Sequence, residues 1–471
     1  MVSNSKSTRP FGIRDKIGYL LGDFGNDFTF ILSSSFLLKF YTDVMHVNAG
    51  IVGLVMMLAR FVDAFTDITM GRICDKSKTT ENGKFKPWIK RMSAPVAISS
   101  FLIYQSAFAD AAMWFKIVWL VVTYILWGSI FYTSINIPYG SMASAISHDP
   151  SDRQSLSTFR SIGSTLAGVV ISAGVPLLAY DTVVVNGIRV AQMNGTKFTV
   201  IAGVFSVLAI AAYFACYYLT SERVISEGAP QKEDYGIRHL LASSLKNRAI
   251  LSIIAASVVM LLSQFTLQQM ANYVYPDYYA NTAAQSASTF AMLAGMMVAA
   301  AGAKPLSTRF GKAEVSAACS VLAGIVCLIL YFVRPENVWV YVAFNLFGWL
   351  GLGVFSMVSW ALITDVIEYS EIKNGFREDG SIYALYSFAR KLGQAAAAGL
   401  TGFLLTAIGY EKTDGIALDD AVKEGIFDIS TLIPAIGFII LALILWFWYP
   451  LGKSAVDKNV EILRKKREEQ P

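Results

Sequence analysis

Charge is what this sequence has least of. Only 15% of its 471 residues are Asp, Glu, Lys or Arg, against about 25% in an ordinary soluble protein. A soluble chain of this length would form two or three domains, each with a polar shell, and there is too little charge to build them. The shortage excludes a soluble enzyme, a nucleic-acid binder and a disordered chain. Cysteine is scarce too. Cys74, Cys216, Cys319 and Cys327 fall in or beside apolar runs without paired spacing, so neither a disulfide framework nor a thiolate metal site is indicated. The three histidines, His46, His148 and His239, all lie in loops. With no nucleophile or metal cluster gathered at one depth, the pattern argues against a membrane enzyme. The polar first sixteen residues lead into no short apolar core with a small-residue cleavage site, so the first apolar segment reads as a retained span.

Apolar residues are what the chain has in excess, at 55% with a mean hydropathy of +0.50. A crossing helix needs about 20 largely apolar residues, since the hydrocarbon is about 30 Å thick. That ruler predicts twelve spans, near 17–43, 49–73, 89–109, 115–146, 154–180, 198–219, 248–274, 285–306, 313–334, 338–371, 380–409 and 429–450. Alternate loops, starting with the N-terminus, hold 28 Lys and Arg, and the opposite loops hold 6. Positive loops mark the cytoplasmic side, so both termini are expected inside, in a cell inner membrane. The longest polar loop divides the chain into an N-terminal segment 1–16, a six-helix half 17–220, a linker 221–247, a second half 248–450 and a tail 451–471. A basic, Gly-containing loop follows the second helix of each half: Gly71–Lys86 in one, Lys304–Lys312 in the other. The expectation is an all-α membrane protein of two six-helix halves, resembling the major facilitator fold, in which cargo binds near mid-membrane. A channel or receptor reading finds no ring of repeated filter residues.

A charge at the bilayer centre costs at least about 2.5–3.5 kcal/mol, so ionisable residues inside spans are functional candidates. Asp63 and Asp67 on span 2 are one helical turn apart on one face, with Arg60 on much the same side. Two carboxylates held together in low dielectric repel, and a cation or proton relieves them. Thr66 and Thr133 are placed to add oxygens for Na⁺. The plainer alternative, Arg60 neutralising one Asp as a packing pair, leaves the second Asp unbalanced. Asp27 with Arg160 and Lys391 forms a second expected cluster, beside Asn136. Such a set suits a sugar, whose hydroxyls donate to carboxylates and accept from cations; a closed charge network without ligand is the alternative. Asp23 reads as structural. Tyr132 and Trp360 are the candidate stacking aromatics. Asp75, Lys84 and Lys86 in the cytoplasmic loop, with Asp365, Glu368 and Arg390, are expected to gate or orient.

The motifs Gly22-Asp-Phe-Gly-Asn-Asp27, Arg60-Phe-Val-Asp63-Ala-Phe-Thr-Asp67, Gly83-Lys-Phe-Lys-Pro-Trp88, Asn136-Ile-Pro-Tyr-Gly140, Arg153–Arg160, Asp365-Val-Ile-Glu-Tyr369 and Phe388-Ala-Arg-Lys391-Leu-Gly-Gln394 resemble the glycoside–pentoside–hexuronide cation symporters, the group of the melibiose permease. The resemblance runs from Ile17 to Pro450, and the short tail is similar to members without an appended regulatory domain. It implies sugar import with Na⁺, Li⁺ or H⁺ and no other cofactor. Asp63 and Asp67 would hold the ion with Thr66 and Thr133; Asp27 would be the main sugar carboxylate, with Arg160, Lys391 and Tyr132 beside it. Two positions depart from the melibiose-type pattern: Asn26 stands where that pattern has Lys, and Asn136 where it has Asp. Both the Asn-Ile-Pro-Tyr-Gly and the Arg-Lys-x-Gly-Gln runs look closer to the glucuronide branch, which lacks the carboxylate of Asp27. That carboxylate favours a neutral glycoside or pentoside, whereas Arg160, Arg390 and Lys391 would suit a uronide or sulfonated sugar. Expected partners are a small sugar and the lipid bilayer, with no nucleic acid and a monomeric chain. An uncoupled facilitator, or an exporter of another small solute, is the competing function. The paired acids argue against the first and the Arg160/Lys391 cations against the second.

Overall fold

In a computed structural model, residues 9–185, 187–224, 247–374, 379–413 and 416–468 are described. Most of the expected linker, residues 225–246, lies outside them. The fold is helical, and its contacts divide the chain into two units, residues 1–230 with 411–417 and residues 231–410 with 418–471.

The first unit is built from α1 (Ile13–Asp43), α2 (Ala49–Lys76), α3 (Lys86–Ile103), α4 (Met113–Ile146), α5 (Pro150–Leu178), a hairpin of β1 (Tyr180–Val185) and β2 (Ile188–Met193), and α6 (Gly195–Leu219). The second holds α7 (Arg248–Tyr278), α8 (Thr282–Phe310), α9 (Lys312–Val333), α10 (Val338–Asn374), α11 (Asp379–Ala407), α12 (Asp420–Trp448) and a terminal helix α13 (Lys453–Glu468). Side-chain amides or carboxylates start many of them. Asn48, Asp149, Asn194, Asn247 and Asn281 each accept a hydrogen bond from a first-turn amide of α2, α5, α6, α7 and α8, satisfying donors that have no intrahelical partner.

Among the described residues nine helices are long and apolar enough to cross a membrane: α2, α4 to α10, and α12. Helices α1, α3 and α11 stand where the first, third and eleventh spans were expected, but they are the charged ones. Helix α1 carries Asp23, Asp27 and Lys39, α11 carries Arg390 and Lys391, and the 18 residues of α3 include Lys86, Lys90 and Arg91. The third span is also shorter than expected, ending at Ile103 before a 3₁₀ turn.

Packing in the first unit is set by α1, which lies against α5 and α6. A Cβ at Gly163 of α5 would collide with the carbonyl of Leu20, so only glycine admits that crossing. Helix α2 shows the opposite character. Leu54, Leu58, Phe61, Phe65 and Ile68 are exposed at helical spacing, a lipid-facing stripe, while Asp63 and Asp67 are half-buried on the inward side. Helix α4 is α-helical at both ends with a π segment at Leu126–Tyr132, a local widening that recurs at functional sites.

The hairpin was not expected; its residues read as a loop. It pairs Tyr180 with Met193 through Val185 with Ile188. Its signal is in the sequence, an Asn-Gly pair at 186–187 between runs of β-branched residues, the strongest short-range hairpin pattern. Gly187 supplies the positive φ of 82°. Lys197 and the Asn194 amide both donate to Asp181, and these hydrogen bonds hold its carboxyl below the usual carboxylate range.

In the second unit α10 packs on α8 and α9, and α7 on α11 and α12. Between α8 and α9 the chain turns at Gly311, whose φ of 104° is left-handed.

Candidate functional site

The first unit holds two sets of acidic residues, each facing a neighbouring helix. On α1, Asp23 and Asp27 are four residues apart; on α5, so are Arg160 and Ser164. The four side chains meet in step. Arg160 Nε donates to Asp23 Oδ1 at 2.9 Å, and Ser164 hydrogen-bonds Asp27. The guanidinium closes on Asp23, one turn before Asp27, and its charge also acts on Asp27. Asp23 is buried at 6% exposure, while Asp27 is half-buried and the Arg160 side chain is 41% exposed. Arg160 also lies over the Tyr139 ring, 5.4 Å from its centroid. The Tyr19 hydroxyl also hydrogen-bonds the guanidinium, whose further N–H groups are donors only.

On α2, Asp63 and Asp67 face α4 in the same stepped way. Ser129 Oγ donates to Asp63 Oδ1 at 2.5 Å, and Thr133 Oγ1 donates to Asp67 Oδ1 at 2.9 Å. Arg60 reaches Asp63 Oδ2 at 3.4 Å. Ser129 sits in the π segment, and Thr133 follows it. The hydroxyl of Thr66 turns back onto its own helix, donating to the carbonyls of Val62 and Asp63. Ser129 was missed by sequence reasoning, although its spacing to Thr133 repeats that of Asp63 to Asp67. Among the described residues no three His, Cys, Asp or Glu are grouped to hold a metal; this set consists of two acids and the hydroxyls that meet them.

Tyr132 stacks on Phe30 at 5.6 Å and tilts against Trp127 at 5.5 Å, and Arg60 lies over the Phe30 ring. It borders both acidic sets. Asn136 accepts from the Asn26 amide at 3.4 Å, a contact between the two positions that depart from the melibiose-type pattern.

The loop residues Asp75, Lys84 and Lys86 act together within this unit. Lys84 Nζ donates to the Asp75 carbonyl and Lys86 Nζ to the Thr220 carbonyl. The Glu222 carboxylate accepts the backbone amides of Lys84, Phe85 and Lys86 at 2.7, 2.9 and 2.7 Å, capping α3 with a charge that suits a helix N-terminus. In the second unit, Asp365 receives Lys312 Nζ at 2.5 Å, from the basic loop of its own unit. Glu368 follows one turn on, half-buried. Arg390 lies 5.5 Å from the Trp360 ring and 5.8 Å from the Tyr386 ring, and the half-buried Lys391 is next to it on α11.

Buried carboxylates facing cations and hydroxyls, on apolar helices of crossing length, are the construction of a membrane transporter. The family model described as MFS/sugar transport protein matches residues 18–453, and the chain belongs to that family. Its resemblance to the glycoside–pentoside–hexuronide group holds within it. It is 30% identical over 464 residues to the glucuronide carrier protein homolog of Escherichia coli K12, covering 97% of both chains. A putative 2,3-dihydroxypropane-1-sulfonate exporter of the same organism is 26% identical, covering 98% of this chain and 97% of that one. Among solved structures, a mutant of the nucleoside transporter NupG superposes with a TM-score of 0.64 over 91% of this chain and 98% of that one, at 13% identity. That likeness concerns the fold alone.

Proposed function

We propose that the protein is a secondary transporter that moves a sugar or glycoside with a coupled cation, Na⁺ or H⁺, by alternating access. The chain crosses an inner membrane twelve times with both termini cytoplasmic; the Lys and Arg bias of the loops supports this orientation, and α1, α3 and α11 join the nine more apolar helices as crossings. The observation supporting the coupling is the pair of carboxylates, Asp63 and Asp67, one turn apart on α2 and each met by a hydroxyl of α4. A cation arriving there relieves their repulsion and draws the hydroxyl oxygens of Ser129 and Thr133 toward it, with Thr66 alongside. This stiffens α4, which carries Asn136 toward the Asp27–Arg160 set. Cargo hydroxyls donate to Asp27, and cargo oxygens accept from Arg160 and Asn136, with Tyr132 as a neighbour. In the second unit Lys391 and Trp360 are the candidate contacts, and Arg390, Asp365 and Glu368 orient the helices. Tightening of sugar by ion must equal tightening of ion by sugar.

The test is uptake into vesicles of the purified chain, with labelled glycosides and an imposed Na⁺ or pH gradient. Accumulation above the external concentration is expected, falling to simple equilibration in Asp63→Asn/Asp67→Asn. Equilibration alone in the wild type would leave an uncoupled facilitator. A specific observation favours a second reading of direction: one relative is described as an exporter, so vesicles of both orientations are assayed.

A further inference from the structure

Two side chains that line no proposed ligand contact, Tyr213 on α6 and Asn26 on α1, form a buried relay to Asn136. Tyr213 and Asn26 are each 1% exposed. The Tyr213 hydroxyl donates to Asn26 Oδ1 at 2.9 Å, and Asn26 Nδ2 donates to Asn136 Oδ1 at 3.4 Å. The packing that makes this relay is tight. A Cβ on Gly25 would lie 3.2 Å from the Ala209 carbonyl oxygen and 3.2 Å from the Tyr213 ring, so glycine there lets α6 press its tyrosine under Asn26.

The direction of these hydrogen bonds follows from what each group can do. A phenol has one proton to give, and among the described residues Asn26 is the only partner of this one. Turning the Asn26 amide over would aim N–H at the phenol oxygen and strand the phenol proton in the interior, which is costly. The tyrosine thus fixes the carbonyl of Asn26 toward itself and the N–H₂ toward α4. The Asn136 carbonyl is then the end that is engaged, and its own N–H₂ is the end left for a ligand.

We infer that Tyr213 is a positioning residue for cargo recognition: acting through Asn26, it makes Asn136 a donor-only contact, which takes an acceptor oxygen of the cargo. The inference rests on the sugar-site reading above and adds to it a polarity. An Asp at position 136 would accept from a cargo hydroxyl; the oriented Asn does the reverse, and so selects for a carboxylate or other acceptor-rich group. The terminal N–H groups of Arg160 provide donors of the same sign.

The experiment measures binding of 4-nitrophenyl β-D-glucuronide and 4-nitrophenyl β-D-glucoside, which differ in a carboxylate against a hydroxymethyl group, to the purified full chain. Tyr213→Phe, which keeps the ring, is expected to weaken glucuronide binding about tenfold in the wild type, and less than twofold when Asn136→Ala is already present, because the two residues act as one unit. Asn26→Ala breaks the relay at its middle and is expected to behave likewise, so the inference does not depend on one variant folding. Asn136→Asp is expected to lose glucuronide more than tenfold while holding the glucoside. Additive losses in the double variant would assign Tyr213 a merely structural role and overturn the inference alone, as would an Asn136→Asp protein that binds the glucuronide like the wild type. A wild type that binds neither glycoside would overturn the sugar-site reading and this inference with it.

Discussion

The two acidic sets of the first unit share one construction and differ in one component. In both, two carboxylates four residues apart on one helix face two partners four residues apart on another. Between α1 and α5 those partners are a guanidinium and a hydroxyl, Arg160 and Ser164. Between α2 and α4 they are two hydroxyls, Ser129 and Thr133, and the cation, Arg60, sits on the carboxylates' own helix. A guanidinium is a fixed charge with donors only. A hydroxyl donates to a carboxylate when the site is empty of cations and can turn a lone pair to one that enters. On the reading proposed above, the first set offers polar contacts to a cargo and the second offers hydroxyl oxygens to an entering cation, which would put a cargo site and a coupling site within one six-helix unit.

The comparison breaks most sharply at its upper and lower rungs. Asp27→Ala is expected to weaken glycoside binding about a hundredfold, since truncating a charged hydrogen-bond partner costs about 1.5–3 kcal/mol, while Na⁺ binding measured alone persists. Equal losses of ion and sugar would show that the two sets are not separate. On the other side, Ser129→Ala is expected to raise the Na⁺ concentration for half-saturation about fivefold, the loss of roughly 1 kcal/mol, with sugar affinity at saturating Na⁺ unchanged. If Ser129→Ala leaves the Na⁺ response intact while Asp63→Asn abolishes it, the hydroxyl is a packing partner only.

The smallest effect concerns an exposed carboxylate outside the spans and calibrates the buried ones. Asp181, hydrogen-bonded by Lys197 and Asn194, has its folded pKa lowered, so its contribution is present above the unfolded value, about 4, and is lost as pH falls through the folded one. Asp181→Asn is expected to lower the melting temperature by about 1 °C at neutral pH, in keeping with the small worth of exposed pairs, and by less in acid. A larger change at neutral pH would mean that the hairpin contributes more to the fold than its exposure implies.

Much of this was legible in the chain. Apolar runs marked helices because the length of a crossing is set by the bilayer and the rise per residue. The acidic pairs stood out because carboxylates four apart share a face. Partners were harder. Arg160 was grouped with Asp27 while Asp23 was read as structural, and only the packing of α5 on α1 closes the guanidinium on Asp23. Ser129 was one serine among many until the π segment turned it toward Asp63. The hairpin at Tyr180–Met193 is different: its Asn-Gly signal was present and was outweighed by reading the segment between two spans as a loop.

The residues by themselves determined that this is a membrane protein, that its helices carry charges at a price in desolvation, and that those charges come in spaced pairs. Composition and periodicity are local, and they act whatever the neighbours are. Which helix answers each pair, and in what register, was decided only by tertiary packing, because a one-turn slide of α5 along α1 preserves every local preference and exchanges the partner of every charge.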